Sequence, residues 1–176
     1  DQMVKSVDML ARLGGPNGII RQTEFFLYTK NDRETLDRCR ELGHTYPECT
    51  GWIRAVKEDF RLVKEAGLQE TGMLTSCSDY HIFDKLKFNS RLDCMDSYCE
   101  VVDAAFEAGV RPRCHLEDLT RADIEGFVLP FVDRLMKMSE QVPDHMKVKI
   151  RLCDTMGFGI NFPNAELPRS IPKLIY

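Results

Sequence analysis

Five short apolar runs, each followed by a stretch of helical character, constrain the fold of this 176-residue chain more than any other feature. The runs cover residues 23–28, 50–55, 70–76, 113–117 and 148–153. Between them the spacing predicts four helices. The first runs from a cap at Asn31 or Asp32 to about Leu42 and closes at Gly43; the second covers 58–66 and stops at Gly67. The third runs through 94–108 to Gly109, and the fourth from Asp123 to about Gln141 before Pro143. A further amphipathic helix, 4–13, precedes them all and ends at Gly14-Gly15-Pro16. Strands that alternate with helices are joined by right-handed crossovers and lie parallel, so the fold class is α/β.

Polar residues gather just after these runs: Asn31-Asp32, Thr75 to His81 (of which 77–81 reads as a polar loop), His115 to Arg121, and Asp154-Thr155. That is the ligand-binding end of either a doubly wound sheet or a barrel of alternating strands and helices. Neither G-x-G-x-x-G nor G-x-x-x-x-G-K-[ST] occurs, and Gly157-Phe158-Gly159 lacks a third glycine and reads as a turn, so a barrel is favoured. The fourth run is the most informative. Arg113, His115 and Glu117 lie two apart, which on a strand puts a cation, an imidazole and a carboxylate on one face. The pattern predicts a strand that delivers three polar groups to its C-terminal end and then turns into a helix. A solvent-facing edge of an antiparallel sheet is the competing interpretation.

Charge and cysteine usage narrow the function classes. A net charge of −4 without a basic, aromatic-interleaved stripe argues against nucleic-acid partners. Every apolar run is interrupted by charge well short of a bilayer span, so no membrane role is expected. Seven scattered cysteines without C-x-x-C fit reduced thiols in a cytoplasmic protein, and Cys94 and Cys99 read as small apolar residues of a helix.

Two motifs give these residues a context. Arg113-x-His115-x-Glu117-Asp118-x-x-Arg121-Ala122-Asp123 is followed, one helix later, by Asp154-Thr155-Met156-Gly157 and then Pro163. The pair resembles strand ends in the acyl-CoA-condensing branch of the metal-dependent pyruvate-lyase barrels, the isopropylmalate synthase and homocitrate synthase family. Gly14 to Gly18, Glu24 to Tyr28, Thr50 to Ala55 and Ser76 to His81 look most like the Re-type citrate synthases of that family. The resemblance spans essentially the whole chain. It implies a partial (β/α)8 TIM barrel carrying strands two to six of eight, with residues 1–176 forming one incomplete catalytic barrel domain of a longer protein. Open first and last strand edges would make such a piece pair or aggregate in isolation.

The resemblance implies a Claisen condensation of acetyl-CoA with a 2-oxo acid: oxaloacetate to citrate, or 2-oxoglutarate to homocitrate. A homodimer or higher homo-oligomer is implied for the full-length protein. A divalent metal (Mn, Mg, Zn or Co) would polarise the keto oxygen. The family's metal ligands come from an Arg-Asp-Gly segment and a His-x-His pair; neither occurs here, and Asp32-Arg33-Glu34 matches the first by letters only. By this resemblance Glu117 and His115 are the candidate catalytic residues. Glu117 would serve proton transfer or act as an arginine counter-ion, and His115 would meet a second substrate carboxylate or fill space. Arg113 would take the substrate carboxylate through its planar fork, or salt-bridge to Glu117 or Asp154 instead. Thr155, Arg54, Ser76 and Asp79 complete the substrate-binding candidates, with Ser78 beside them. Val56 stands where homocitrate synthases carry an acid-base histidine. Tyr28 and Trp52 read as core aromatics. The alternatives are an acyl-CoA lyase of the same superfamily, and a barrel piece without activity of its own.

Overall fold

The computed structural model describes residues 2–175. Its strands are β1 (Gln22–Phe26), β2 (Glu48–Arg54), β3 (Glu70–Ser76), β4 (Arg111–Glu117) and β5 (Lys149–Leu152). All pair in parallel, in the spatial order β1-β2-β3-β4-β5. A doubly wound sheet reverses its order at a switch point, and this sheet does not. Sequential order is that of a barrel wall. The helices α1 (Gln2–Gly14), α2 (Lys30–Glu41), α3 (Phe60–Glu65), α4 (Arg91–Glu107) and α5 (Leu129–Ser139) alternate with the strands, and a short α6 (Ile171–Ile175) follows them.

The period of two along each strand separates two environments. Phe25, Ile53, Met73, Cys114 and Leu116 join the core with helix residues Leu36, Val63, Val102, Phe131 and Leu135. Each such side chain, fully buried, stabilises the fold by about 1.5–3 kcal/mol. The opposite face carries Gln22, Glu24, Thr50, Trp52, Glu70, Gly72, Arg113, His115 and Glu117. It is a polar face, yet much of it is buried.

Several local expectations are corrected. The cap of α2 is Thr29: its hydroxyl accepts from Asp32 N–H, while the Asp32 carboxylate accepts from Thr29 N–H, closing a capping box. Residues 77–81 are not an open loop; they lead into a wide helical turn, Tyr80–Lys85, that buries His81 and Ile82. The helix expected from Asp123 begins as another wide turn, Ile124–Val128, before α5. Pro130 has no N–H and its ring crowds the carbonyl four residues back, which favours a looser first turn. Met9 and Leu13 of α1 are exposed, and only Val7, Ala11 and Gly14 of that helix are buried. Tyr28 is partly exposed and hydrogen-bonds Asp59 rather than filling the core.

Candidate active site

The C-terminal ends of β3 and β4 meet at Glu117, and the loop after β5 joins them at the next residue, Asp118. The Glu117 carboxylate oxygen Oε2 accepts from the Ser76 hydroxyl in a very short bond, and Lys85 Nζ lies 3.5 Å from the same oxygen. His81 Nε2 is also 3.5 Å from it. The next residue, Asp118, is fully buried with a left-handed backbone (φ 64°) unusual outside glycine. It persists because its neighbours hold it from several sides. Arg121 donates to its carboxylate through Nε at 2.8 Å, Ser78 donates at 2.6 Å, and its own N–H donates to Thr155 Oγ1 at 2.8 Å. Burial pushes the Asp118 carboxyl up, but Arg121 and Ser78 outweigh it and hold the group below the usual carboxylate range.

Asp154 organises the loop after β5. Its carboxylate accepts from Thr120 Oγ1 at 2.8 Å and from the N–H groups of Phe158 and Gly159 at 2.9 Å each. The Asp-Thr-Met-Gly motif is thereby fixed as a turn that presents Thr155 next to Asp118.

Two layers deeper lies Arg113. It is the third residue of β4 and not at the strand end, because the strand begins at Arg111. Its side chain is fully buried and all five N–H groups have partners. Nε donates to His115 Nε2 at 3.1 Å; Nη1 donates to Gln22 at 2.8 Å and to Glu70; Nη2 donates to Thr50 at 3.2 Å and to Glu24. The carboxylates come from the strands β1 and β3, not from Glu117 or Asp154. For Glu24 and Glu70, burial raises the carboxyl, but the nearby His115 ring at Glu24 and the hydrogen bond from Lys149 at Glu70, with the Arg113 charge, bring both below the usual range. His115 stacks edge-on against Trp52 with centroids 4.3 Å apart, and its Nδ1 faces Cys153 Sγ at 3.9 Å.

The structure thus brings Ser76, Glu117 and Thr155 into one rim and stacks Arg113 and His115 beneath it. Arg54 and Asp79 make their bonds elsewhere. Arg54, 70% exposed, grips Asp59 with two bonds of 3.0 Å, and Asp79 pairs with Arg91 at 2.7 and 2.9 Å. The rim also contains His81 and Asp118, which stand in the sequence motifs without an assigned role, and Lys85, which stands in none. The signal for His81 is its i, i+3 pairing with Ser78, which a loop over 77–81 does not reveal.

A cavity of about 900 Å³ opens at the other end of the sheet, lined by Gln22, Glu48, Glu70, Arg111 and Lys149 among others. None of the rim residues lines it, and ligand chemistry in such folds belongs to the C-terminal strand ends. Among the described residues no group of three or more His, Cys, Asp or Glu side chains is placed to hold a metal ion. The residues present therefore do not fit the divalent metal implied by resemblance, and no step below runs through one. Among the described residues no helix is long and apolar enough to cross a membrane.

No family model matches the chain. It is 56% identical to the Citrate (Re)-synthase of Syntrophus aciditrophicus over 99% of its own length and 27% of that protein. It is 53% identical to the Citrate (Re)-synthase of Clostridium kluyveri over 99% of its own length and 38% of that protein. The chain thus spans well under half the length of these relatives. Its fold superposes on the crystal structure of hydroxymethylglutaryl-CoA lyase from Pseudomonas aeruginosa with a TM-score of 0.63 at 18% identity, covering 89% of this chain and 51% of that one. The fold is therefore a partial (β/α)8 barrel. In sequence the chain resembles, over essentially its whole length, the isopropylmalate synthase family of acyl-CoA-condensing barrels, and within it the Re-citrate synthases.

Proposed function

We propose that residues 1–176 supply strands two to six of a catalytic barrel that condenses acetyl-CoA with a 2-oxo acid, oxaloacetate being the substrate that the Re-citrate synthase likeness favours. The observation that carries this reading is the rim around Glu117, assembled from three successive strand ends in a chain more than half identical to Re-citrate synthases. In the reaction a base takes a proton from the acetyl methyl group, the carbanion attacks the keto carbon, and thioester hydrolysis frees the CoA thiol.

Glu117 is the acid-base group. Ser76, Lys85 and His81 converge on Oε2, which leaves Oε1 for the substrate proton. Thr155 Oγ1 accepts from Asp118 N–H, so its own hydrogen is free to be donated to a substrate carboxylate. Arg113, with five partners inside the wall, meets a substrate carboxylate by exchanging Glu24, whose side chain is 31% exposed and the more open of its two acidic partners. His115, beside it, contacts the second carboxylate of oxaloacetate. Ser76 holds Glu117, while Arg54 and Asp79 border the mouth.

The test is thiol release from acetyl-CoA in the presence of oxaloacetate, with citrate identified by mass, using the protein as its source produces it. The expected result is citrate formation that Glu117→Gln abolishes. Citrate cleavage without condensation, or turnover unaffected by Glu117→Gln, overturns the reading.

A further inference from the structure

His81 is buried (7% exposed), on the turn after β3, with its ring edge-on to Tyr80 at 5.5 Å between centroids. Five polar groups surround it. Ser78 and Asp118 lie on its Nδ1 side and Glu117 on its Nε2 side, with Lys85 beyond Glu117; Arg121 backs Asp118 and reaches over the Tyr80 ring at 5.6 Å.

The hydrogens in this group are countable. The Ser78 hydroxyl owns one, and its 2.6 Å bond to Asp118 must donate it, because an ionised carboxylate only accepts. Asp118 is held in that ionised form by Arg121, whose guanidinium it shares through two atoms. Ser78 Oγ therefore accepts its other two contacts, from His81 backbone N–H at 3.4 Å and from ring Nδ1 at 2.9 Å. Nδ1 must carry the hydrogen. The same hydrogen is near a second acceptor, since Asp118 Oδ2 is 3.2 Å from Nδ1. In a neutral ring that leaves Nε2 bare, and it looks across 3.5 Å at Glu117 Oε2, another acceptor. Two lone pairs face each other with room for one proton, and an approach of about 0.5 Å gives an ordinary hydrogen bond.

We propose that His81 is the proton-holding partner of Glu117, fixed in its Nδ1–H form by Ser78 and Asp118. This rests on the acid-base assignment of Glu117 above. A proton that Glu117 takes on Oε1 from a substrate carbon passes to Nε2 once the carboxyl turns about its Cγ–Cδ bond and presents that O–H to the ring. Glu117 returns to carboxylate and His81 becomes an imidazolium between Asp118 and Glu117; the reverse transfer delivers the proton. One proton moves, no electrons are gained or lost, and Asp118 compensates the charge. His81 is thus a positioning residue that acts through Glu117.

Long-range proton–nitrogen spectra of histidine-labelled protein, with a carboxyl-carbon label on glutamate, test the pair without substrate. The expected result is an Nδ1–H tautomer for neutral His81, with the Glu117 carboxyl signal moved by His81→Gln and the His81 Nε2 signal moved by Glu117→Gln. An Nε2–H tautomer, or a Glu117 carboxyl signal indifferent to His81→Gln, overturns the proposal. In the condensation assay His81→Gln should lower kcat on the order of 10–100-fold with KM within about twofold, and flatten one limb of the pH profile. Unchanged kcat and pH profile in His81→Gln overturn it. A parent protein that shares the proton yet forms no citrate refutes the acyltransferase reading and leaves the His81–Glu117 pair standing.

Discussion

Asp118 N–H donates to Thr155 Oγ1 over 2.8 Å, which joins the end of β4 to the loop after β5. The bond spans 37 residues of sequence and sets the two motifs of the rim in register. Thr155→Val keeps the shape and removes the acceptor, so it should lower stability by about 1 kcal/mol, measured as a shift in urea midpoint. Thr155→Ser should restore the parent value. Equal midpoints for all three proteins would refute a role for this bond.

Arg113 is a different kind of residue, since its removal takes a buried counter-ion from two carboxylates, of which only Glu70 keeps a second ion pair, with Lys149. Arg113→Met should cost about 3–5 kcal/mol in urea denaturation, because Glu24 and Glu70 lose a buried counter-ion. Adding Glu24→Gln to that variant should recover part of the loss. A single variant as stable as the parent would show that the hub contributes nothing to folding.

The same pair of glutamates gives the fold an acid limb. Their folded carboxyls sit below the ordinary value of 4.5, so the folded state binds fewer protons than the unfolded one as pH falls past that value. Their stabilisation is complete above pH 4.5 and is lost as the pH drops through the lower folded values. Urea midpoints taken from pH 7 down to 3 should decline on that limb, and less steeply in Glu70→Gln. An identical slope in the variant would contradict the assignment.

Gly72 lets two rings close over the wall. A Cβ there would stand 2.8 Å from Trp52 Cε3 and 3.0 Å from His115 Nε2. Gly72→Ala should therefore cost about 1–3 kcal/mol and shift the emission of the chain's single tryptophan. Unchanged fluorescence together with an unchanged urea midpoint would rule out that close packing.

Thiol accessibility follows burial. All seven cysteines are free; burial pushes the Cys94 and Cys114 thiols up to about 12, which removes the nucleophilic thiolate at ordinary pH. Under native conditions at pH 8, alkylation mapped by mass spectrometry should reach half-buried Cys49 and Cys153 first. Cys94 and Cys114 should react only on denaturation, and early labelling of either would contradict their packing.

The architecture was legible in the sequence because apolar strands and glycine-closed helices are local signals; the third strand fell at 70–76 as its composition indicated. The site was legible in part. Arg113, His115 and Glu117 do share one face, but their partners come from far along the chain: Glu24 is 89 residues from Arg113 and Glu70 is 43. No spacing rule distinguishes those carboxylates from Glu117 or Asp154, which stand closer in sequence. His81 was obscured for a local reason, because a wide turn matches neither the 3.6-residue nor the two-residue period. Asp118 stood in the motif without a role, since a left-handed aspartate buried against Arg121 and Ser78 leaves no mark on a hydrophobic pattern.

The unbroken spatial order of the five strands also bears on how the chain acquires its shape. Each strand pairs with the one made just before it, so no segment must wait for a distant downstream partner before it can dock. Each closure spans one helical crossover rather than the whole wall, which limits its entropic cost within a parallel sheet. A nascent chain leaving the ribosome can lay down this wall stave by stave, in the order in which it is translated.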